Sequence, residues 1–120
     1  MNSRKYPRVE FRSSVTITTA KRSFQGIVKS ISMVGMFLIA GESLVIGEPV
    51  EIIIHLTGFA PEISLFLNGR VCRVTEIGMV IVFENIEAET YTKLKNIISY
   101  NLKRQKNMES VTEQKEFIHA

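Results

Sequence analysis

The chain has 120 residues, 45% of them hydrophobic and 22% charged, and carries a formal net charge of +3. This is enough for one globular domain with little core to spare, so any ligand is expected at the surface or a rim and not in a deep enclosed site. The mild positive charge suits an anionic small ligand or an acidic protein partner more than a nucleic acid polymer. The lone Cys72, with only His55 and His119 as histidines, excludes an intramolecular disulfide and a multi-cysteine zinc site.

Residues 1–8 are polar and basic, lack the apolar stretch of a signal peptide, and are expected to form a flexible arm. From Val9 the chain alternates: Val9, Phe11, Val15 and Ile17 on one face, Glu10, Arg12, Ser14, Thr16 and Thr18 on the other, which predicts a half-buried strand. A turn at Ala20–Ser23 exposes Lys21 and Arg22. A second strand covers Phe24–Ile31, a break falls at Ser32–Gly35, and extended structure resumes over Met36–Ile39. After a connection at Gly41–Gly47, the β-branched run Pro49–Leu56 predicts another strand, and Gly58 and Pro61 mark a turn at Thr57–Pro61. Ile63–Val74 is a long strand in which Asn68-Gly69 suggests a bulge or bend. Glu76–Gly78 turns the chain into a last strand, Met79–Phe83.

Beyond Asn85 the period changes. Tyr91, Leu94, Ile97, Ile98 and Leu102 fall at helical spacing, with Lys93, Lys95, Lys103 and Arg104 between them, which predicts an amphipathic helix over about 88–105. The polar tail, residues 106–120, either extends that helix or frays. Six short strands and one helix predict a β-barrel or sandwich, with the helix packing its apolar stripe over an open end or side. The domain therefore covers residues 9–105. The longest apolar run, around Ile52–Ile54, is far too short to span a membrane, and no membrane insertion is expected. A single cysteine fits a cytoplasmic location.

Nothing in the sequence makes a positive case for an enzyme. There is no Asp, the glutamates are scattered, and no Gly-x-Ser-x-Gly or phosphate-binding glycine loop is present. His55 and Cys72 lie in strand patterns, where a structural or surface role is the simpler reading. Two other features bear on binding. Arg4-Lys5-Tyr6-Pro7-Arg8 places two guanidinium groups four residues apart, and each can donate paired hydrogen bonds to a phosphate or a guanine edge. Ser30-Ile31-Ser32-Met33-Val34-Gly35 sets two hydroxyls at alternate positions of an extended segment, followed by a glycine that permits a turn or close approach. Alone, the first is a solvated basic arm and the second a plain turn.

Together they are more specific. Arg-x-x-x-Arg before the first strand, then a hexamer like Asp/Asn-x-Ser-x-x-Gly two strands later, resembles the PilZ family. Asn68-Gly69-Arg70-Val71-Cys72-Arg73-Val74 looks like that family's Gly-Arg-Val-x-Arg-Val strand, and Gly78-Met79-Val80-Ile81-Val82-Phe83 like its last strand. The resemblance covers Arg4 to Leu102. It implies a six-stranded antiparallel split barrel with a C-terminal helix, in a bacterial receptor for the second messenger cyclic di-GMP, with no cofactor and no metal. It further implies that Arg4 and Arg8 clamp phosphates and guanine edges, Lys5 adds charge, Ser30 and Ser32 meet a guanine, and Gly35 holds the turn beneath it. Such a receptor couples messenger level to a protein partner controlling motility, biofilm or exopolysaccharide, by ordering the arm over the barrel wall. Two departures stand out. Ser30 replaces the family's usual Asp or Asn, forfeiting a charge-assisted bond of about 1–3 kcal/mol. Val80 stands where Gly is frequent, which reads as a packing change.

Two rivals remain. One is a degenerate PilZ-like barrel that no longer binds nucleotide and acts as a protein-interaction adaptor, a reading Ser30 favours. The other is a small basic barrel for single-stranded nucleic acid, which needs exposed aromatic platforms. The chain has no Trp, and Phe11, Phe24, Phe66 and Phe83 all lie in strand patterns that predict burial.

Overall fold

The structure, a computed structural model, describes residues 6–56 and 63–119. Six strands run β1 (Val9–Thr18), β2 (Ser23–Ile31), β3 (Gly35–Ala40), β4 (Pro49–Leu56), β5 (Ile63–Val74) and β6 (Met79–Glu84), followed by helix α1 (Ala88–His119). Every pairing is antiparallel, and the strands close into a barrel in the order β1-β2-β3-β6-β5-β4. The turn expected at Thr57–Pro61 lies outside the described residues. The helix begins where the period changes but continues past Gln105 to His119.

Alternation builds the interior. Val15 and Ile17, Ile52 and Ile54, Leu65 and Leu67, and Ile81 are all buried, because every second residue of a pleated strand faces the lumen, and Val28 and Ile31 of β2, three apart across an irregularity at Lys29, are buried as well. Leu94 and Ile98 of α1 join this core, while Ile97 and Leu102 pack at its margin. The helix lies against β1 and β5, and the Glu10 N–H donates to the Gln105 side-chain oxygen at 2.9 Å. Asn85, in the left-handed region at φ 48°, turns the chain out of β6 into α1, a conformation Asn tolerates better than most residues.

Three hairpin corners share one device. Thr19, Ser32 and Thr75 each donate their N–H to the carbonyl three residues on, at 2.8 Å in all three cases. Each hydroxyl also accepts from one or two N–H groups of its own turn. Such hydroxyl caps satisfy turn amides that would otherwise depend on water.

Three expectations are corrected. The bulge of β5 lies at Cys72, between the pairs Val71–Ile81 and Arg73–Val80, and Asn68-Gly69 pairs regularly on both sides. Gly69 is needed for close approach instead: a Cβ there would meet the Val82 carbonyl oxygen at 2.6 Å. Phe66 points outward and is 63% exposed, because its neighbours Leu65 and Leu67 take the inward positions. Tyr91 is also exposed, so the buried helix stripe starts at Leu94.

Leu94 therefore anchors the helix. Leu94→Ala should lower the unfolding free energy by about 2–5 kcal/mol, and Tyr91→Ala by less than about 0.5 kcal/mol, measured by urea denaturation.

Candidate functional site

A shallow groove of about 110 Å³ on the barrel exterior is lined by Arg8, Ser30, Ser32, Val34, Gly35, Phe37, Val80 and Val82, with Met36 and Ile81 beneath. Four of the sequence-derived site residues, Arg8, Ser30, Ser32 and Gly35, thus come together at one place. Arg4 and Lys5 lie outside the described residues.

The position of each follows from local folding. Arg8 immediately precedes β1, whose first pairs, Val9–Ile31 and Glu10–Ser30, set it beside the end of β2. Its side chain is exposed and makes no ion pair or hydrogen bond among the described residues. Ser30 sits where β2 shifts register against both neighbours, opposite Glu10 on β1 and Phe37 on β3. It is half-buried, and its hydroxyl makes no hydrogen bond among the described residues.

Ser32 differs. It is 8% exposed, and its hydroxyl accepts from the Val34 N–H at 3.2 Å and reaches the Gly35 carbonyl at 3.4 Å. The two serines do not present matching hydroxyls along an extended segment, because β2 ends at Ile31 and Ser32 opens the turn. Ser30 is the open hydroxyl and Ser32 the committed one. Gly35 begins β3 against Val82 of β6. A Cβ at this position would lie well inside contact distance of the Ile81 carbonyl oxygen, so the glycine lets two strands close up. The Val34 carbonyl accepts from the Phe83 N–H at 2.8 Å and ties the turn to β6.

Sequence reading missed the apolar part of the groove. Val34 and Val82 are exposed, and Phe37 and Val80 are half-buried on the outer face, paired across β3 and β6. Val80 is therefore groove surface as well as packing. The signal was present: β3 and β6 carry apolar residues at consecutive positions, where a one-sided strand would alternate with polar ones. Arg70 and Arg73 do not line this groove. Arg70 is held by Glu84 at 2.9 Å and the Gly47 carbonyl at 3.0 Å.

Arg8 is the one charged side chain lining the groove among the described residues. It offers five donors and a permanent charge. Glu10 pairs with Ser30 across the ladder without lining the groove, and a carboxylate at position 30 would stand opposite it as a like-charge pair. Among the described residues no group of three His, Cys, Asp or Glu side chains could hold a metal ion, and no helix is long and apolar enough to cross a membrane.

The family model of the PilZ domain matches residues 2–100. Comparison with curated proteins gave no match. Among solved structures, the chain is similar to the Bacillus subtilis inhibitor of motility MotI/DgrA, with 22% identity and a TM-score of 0.72 over 89% of this chain and 53% of that one. It is similar to the PilZ domain of YcgR from Escherichia coli, solved with c-di-GMP, with 13% identity and a TM-score of 0.74 over 91% and 98% of the two chains. The K. pneumonia MrkH–c-di-GMP complex gives 13% identity and 0.73 over 88% and 54%. The chain spans about half the length of MotI and of MrkH, and at these identities the likeness carries the fold alone.

The closeness of Gly35 to Ile81 gives a test of the groove's frame. Gly35→Ala should cost about 1–3 kcal/mol of stability by thermal or urea unfolding. Gly41→Ala, where a Cβ meets nothing within 4 Å, should leave stability unchanged or raise it by less than about 1 kcal/mol.

Proposed function

The chain belongs to the PilZ domain family, and from that premise we propose that it is a cyclic di-GMP receptor and not an enzyme, binding its ligand across the groove at Arg8 and Ser30. The observation that carries this reading is the juxtaposition of an exposed guanidinium and an open hydroxyl on an apolar, outward-facing floor. Relatives of the same fold, YcgR and MrkH, were solved with the same dinucleotide.

The groove volume of about 110 Å³ is well below the roughly 300–1,000 Å³ of enclosed ligand pockets, so the dinucleotide must lie over the barrel wall with one base seated. Val34, Phe37, Val80 and Val82 give that base an apolar bed. The Ser30 hydroxyl accepts from a guanine N–H. Arg8 grips a phosphate oxygen pair or a guanine edge with parallel donors. Arg4 completes the clamp, with Lys5 adding charge, and Gly35 and Ser32 hold the turn that forms the wall. Drawing residues 1–8 onto the barrel would create new surface for a protein partner, so that ligand level sets partner affinity. A soluble cytoplasmic receptor acting on motility, biofilm or exopolysaccharide is the role this mechanism serves.

One observation favours a second reading, a PilZ barrel that acts as an adaptor without nucleotide: Ser30 and the facing Glu10 make the guanine end poorer in attraction than an Asp or Asn would. Isothermal titration with cyclic di-GMP separates the two. A receptor binds, loses most of its affinity in both Arg4→Ala and Arg8→Ala, and gains about tenfold or more in Ser30→Asn, whose amide restores an acceptor without a charge facing Glu10. A pure adaptor gives no heat with the wild-type protein.

A further inference from the structure

A second and much larger groove, about 1,090 Å³, runs between α1 and the barrel. Its floor is apolar, formed by Phe11, Leu56, Ile63 and Ile97, with Tyr100 at its edge. Among the described residues four cations line it, Arg12, Lys29, Lys93 and Arg104, against one carboxylate, that of Glu10. All four cations are exposed, and none makes an ion pair among the described residues; the ion pairs seen there are Arg22–Glu42 and Arg70–Glu84.

The cations come from three separate elements, and the two from the barrel are put there by an irregularity. Between the pairs Glu10–Ser30 and Ser13–Val28, Phe11 and Arg12 of β1 stand opposite Lys29 of β2. Lys29 is also the residue skipped between the pairs Val28–Leu38 and Ser30–Phe37. A bulge of this kind re-aims side chains that regular pairing would hold in line. Here it turns Phe11, Arg12 and Lys29 to the helix side, where Lys93 and Arg104 face them across the floor.

We propose that this groove is a docking site for an acidic, amphipathic segment of a partner protein, its apolar side chains seated on Phe11, Ile63 and Ile97 and its carboxylates paired with Arg12, Lys29, Lys93 and Arg104. Charge complementarity selects the partner. The volume and the apolar floor are too large for a lone anion, and the cations come from β1, β2 and α1 and not from one loop or turn. The mode is segment-in-groove recognition, in which apolar anchors supply affinity and rim charges supply selectivity and association rate. The site is distinct from the groove at Arg8 and does not require nucleotide binding, but it lies one residue along β2 from Ser30.

The test uses the full chain and three designed peptides of one pattern, Leu and Phe at helical spacing with the remaining positions Glu, Gln or Lys. Binding is followed by fluorescence anisotropy and by amide chemical-shift mapping. The Glu peptide should bind more tightly than the Gln peptide, the Lys peptide should not bind, and shifts should centre on Lys29, Ile97 and Tyr100. The double variant Lys93→Glu/Arg104→Glu should weaken the Glu peptide by about tenfold or more. Lys21→Glu, on the far β1–β2 turn, should leave it unchanged, with melting temperatures confirming that both variants fold. Equal binding of the Glu and Gln peptides, shifts centred elsewhere, no binding, or preferential binding of an oligonucleotide or anionic vesicle to the same face would each overturn the proposal. None of these outcomes depends on cyclic di-GMP, so failure here is separable from failure of the receptor reading.

Discussion

The turn between β2 and β3 is pressed against β6 so closely that position 35 admits no side chain. Everything at the Arg8 groove depends on that contact. Gly35 lets the strands approach, the Val34 carbonyl takes the Phe83 N–H, and Ser32 spends its hydroxyl inside the turn. The wall that results is rigid and presents apolar side chains outward on one side and the open hydroxyl of Ser30 on the other. A glycine and a serine that look like contact residues in sequence work mainly as frame, and among the described polar residues of the groove Arg8 and Ser30 are the ones with uncommitted donors or acceptors.

The same stretch of β2 serves two faces. Ser30 lines the Arg8 groove and Lys29, at the bulge, lines the helix groove. Glu10 joins them: it pairs with Ser30 across the ladder, lines the helix groove, and holds α1 through its N–H bond to Gln105. This physical continuity is what would let the barrel report ligand to partner.

Much of this was legible in the chain. The β-branched run Pro49–Leu56 and the long run Ile63–Val74 mark β4 and β5 at their observed limits, because a strand buried on one face must alternate. The clustering of Arg8 with Ser30, Ser32 and Gly35 was implied by the resemblance to the PilZ family, since each motif alone reads as a basic arm or a plain turn. What was not legible has tertiary causes. Gly69 looks like a bend but answers to the Val82 carbonyl of a neighbouring strand, and the real bulge sits at Cys72, where no local signal marks it. Phe66 was assigned to the core for its type, although the parity of Leu65 and Leu67 already put it outside. The helix groove is invisible in sequence, since its cations come from positions far apart that only the bulge and the helix docking bring together.

The central claim is that the wall formed by Arg8, Ser30 and the β2–β3 turn receives the dinucleotide. Amide spectra recorded while cyclic di-GMP is added to the labelled protein test it most directly. The account predicts that the largest shifts fall at Arg8, Ser30, the turn through Phe37 and residues 80–82 of β6. Saturable binding whose shifts lie on any other face, or spectra that do not change at all, would contradict it.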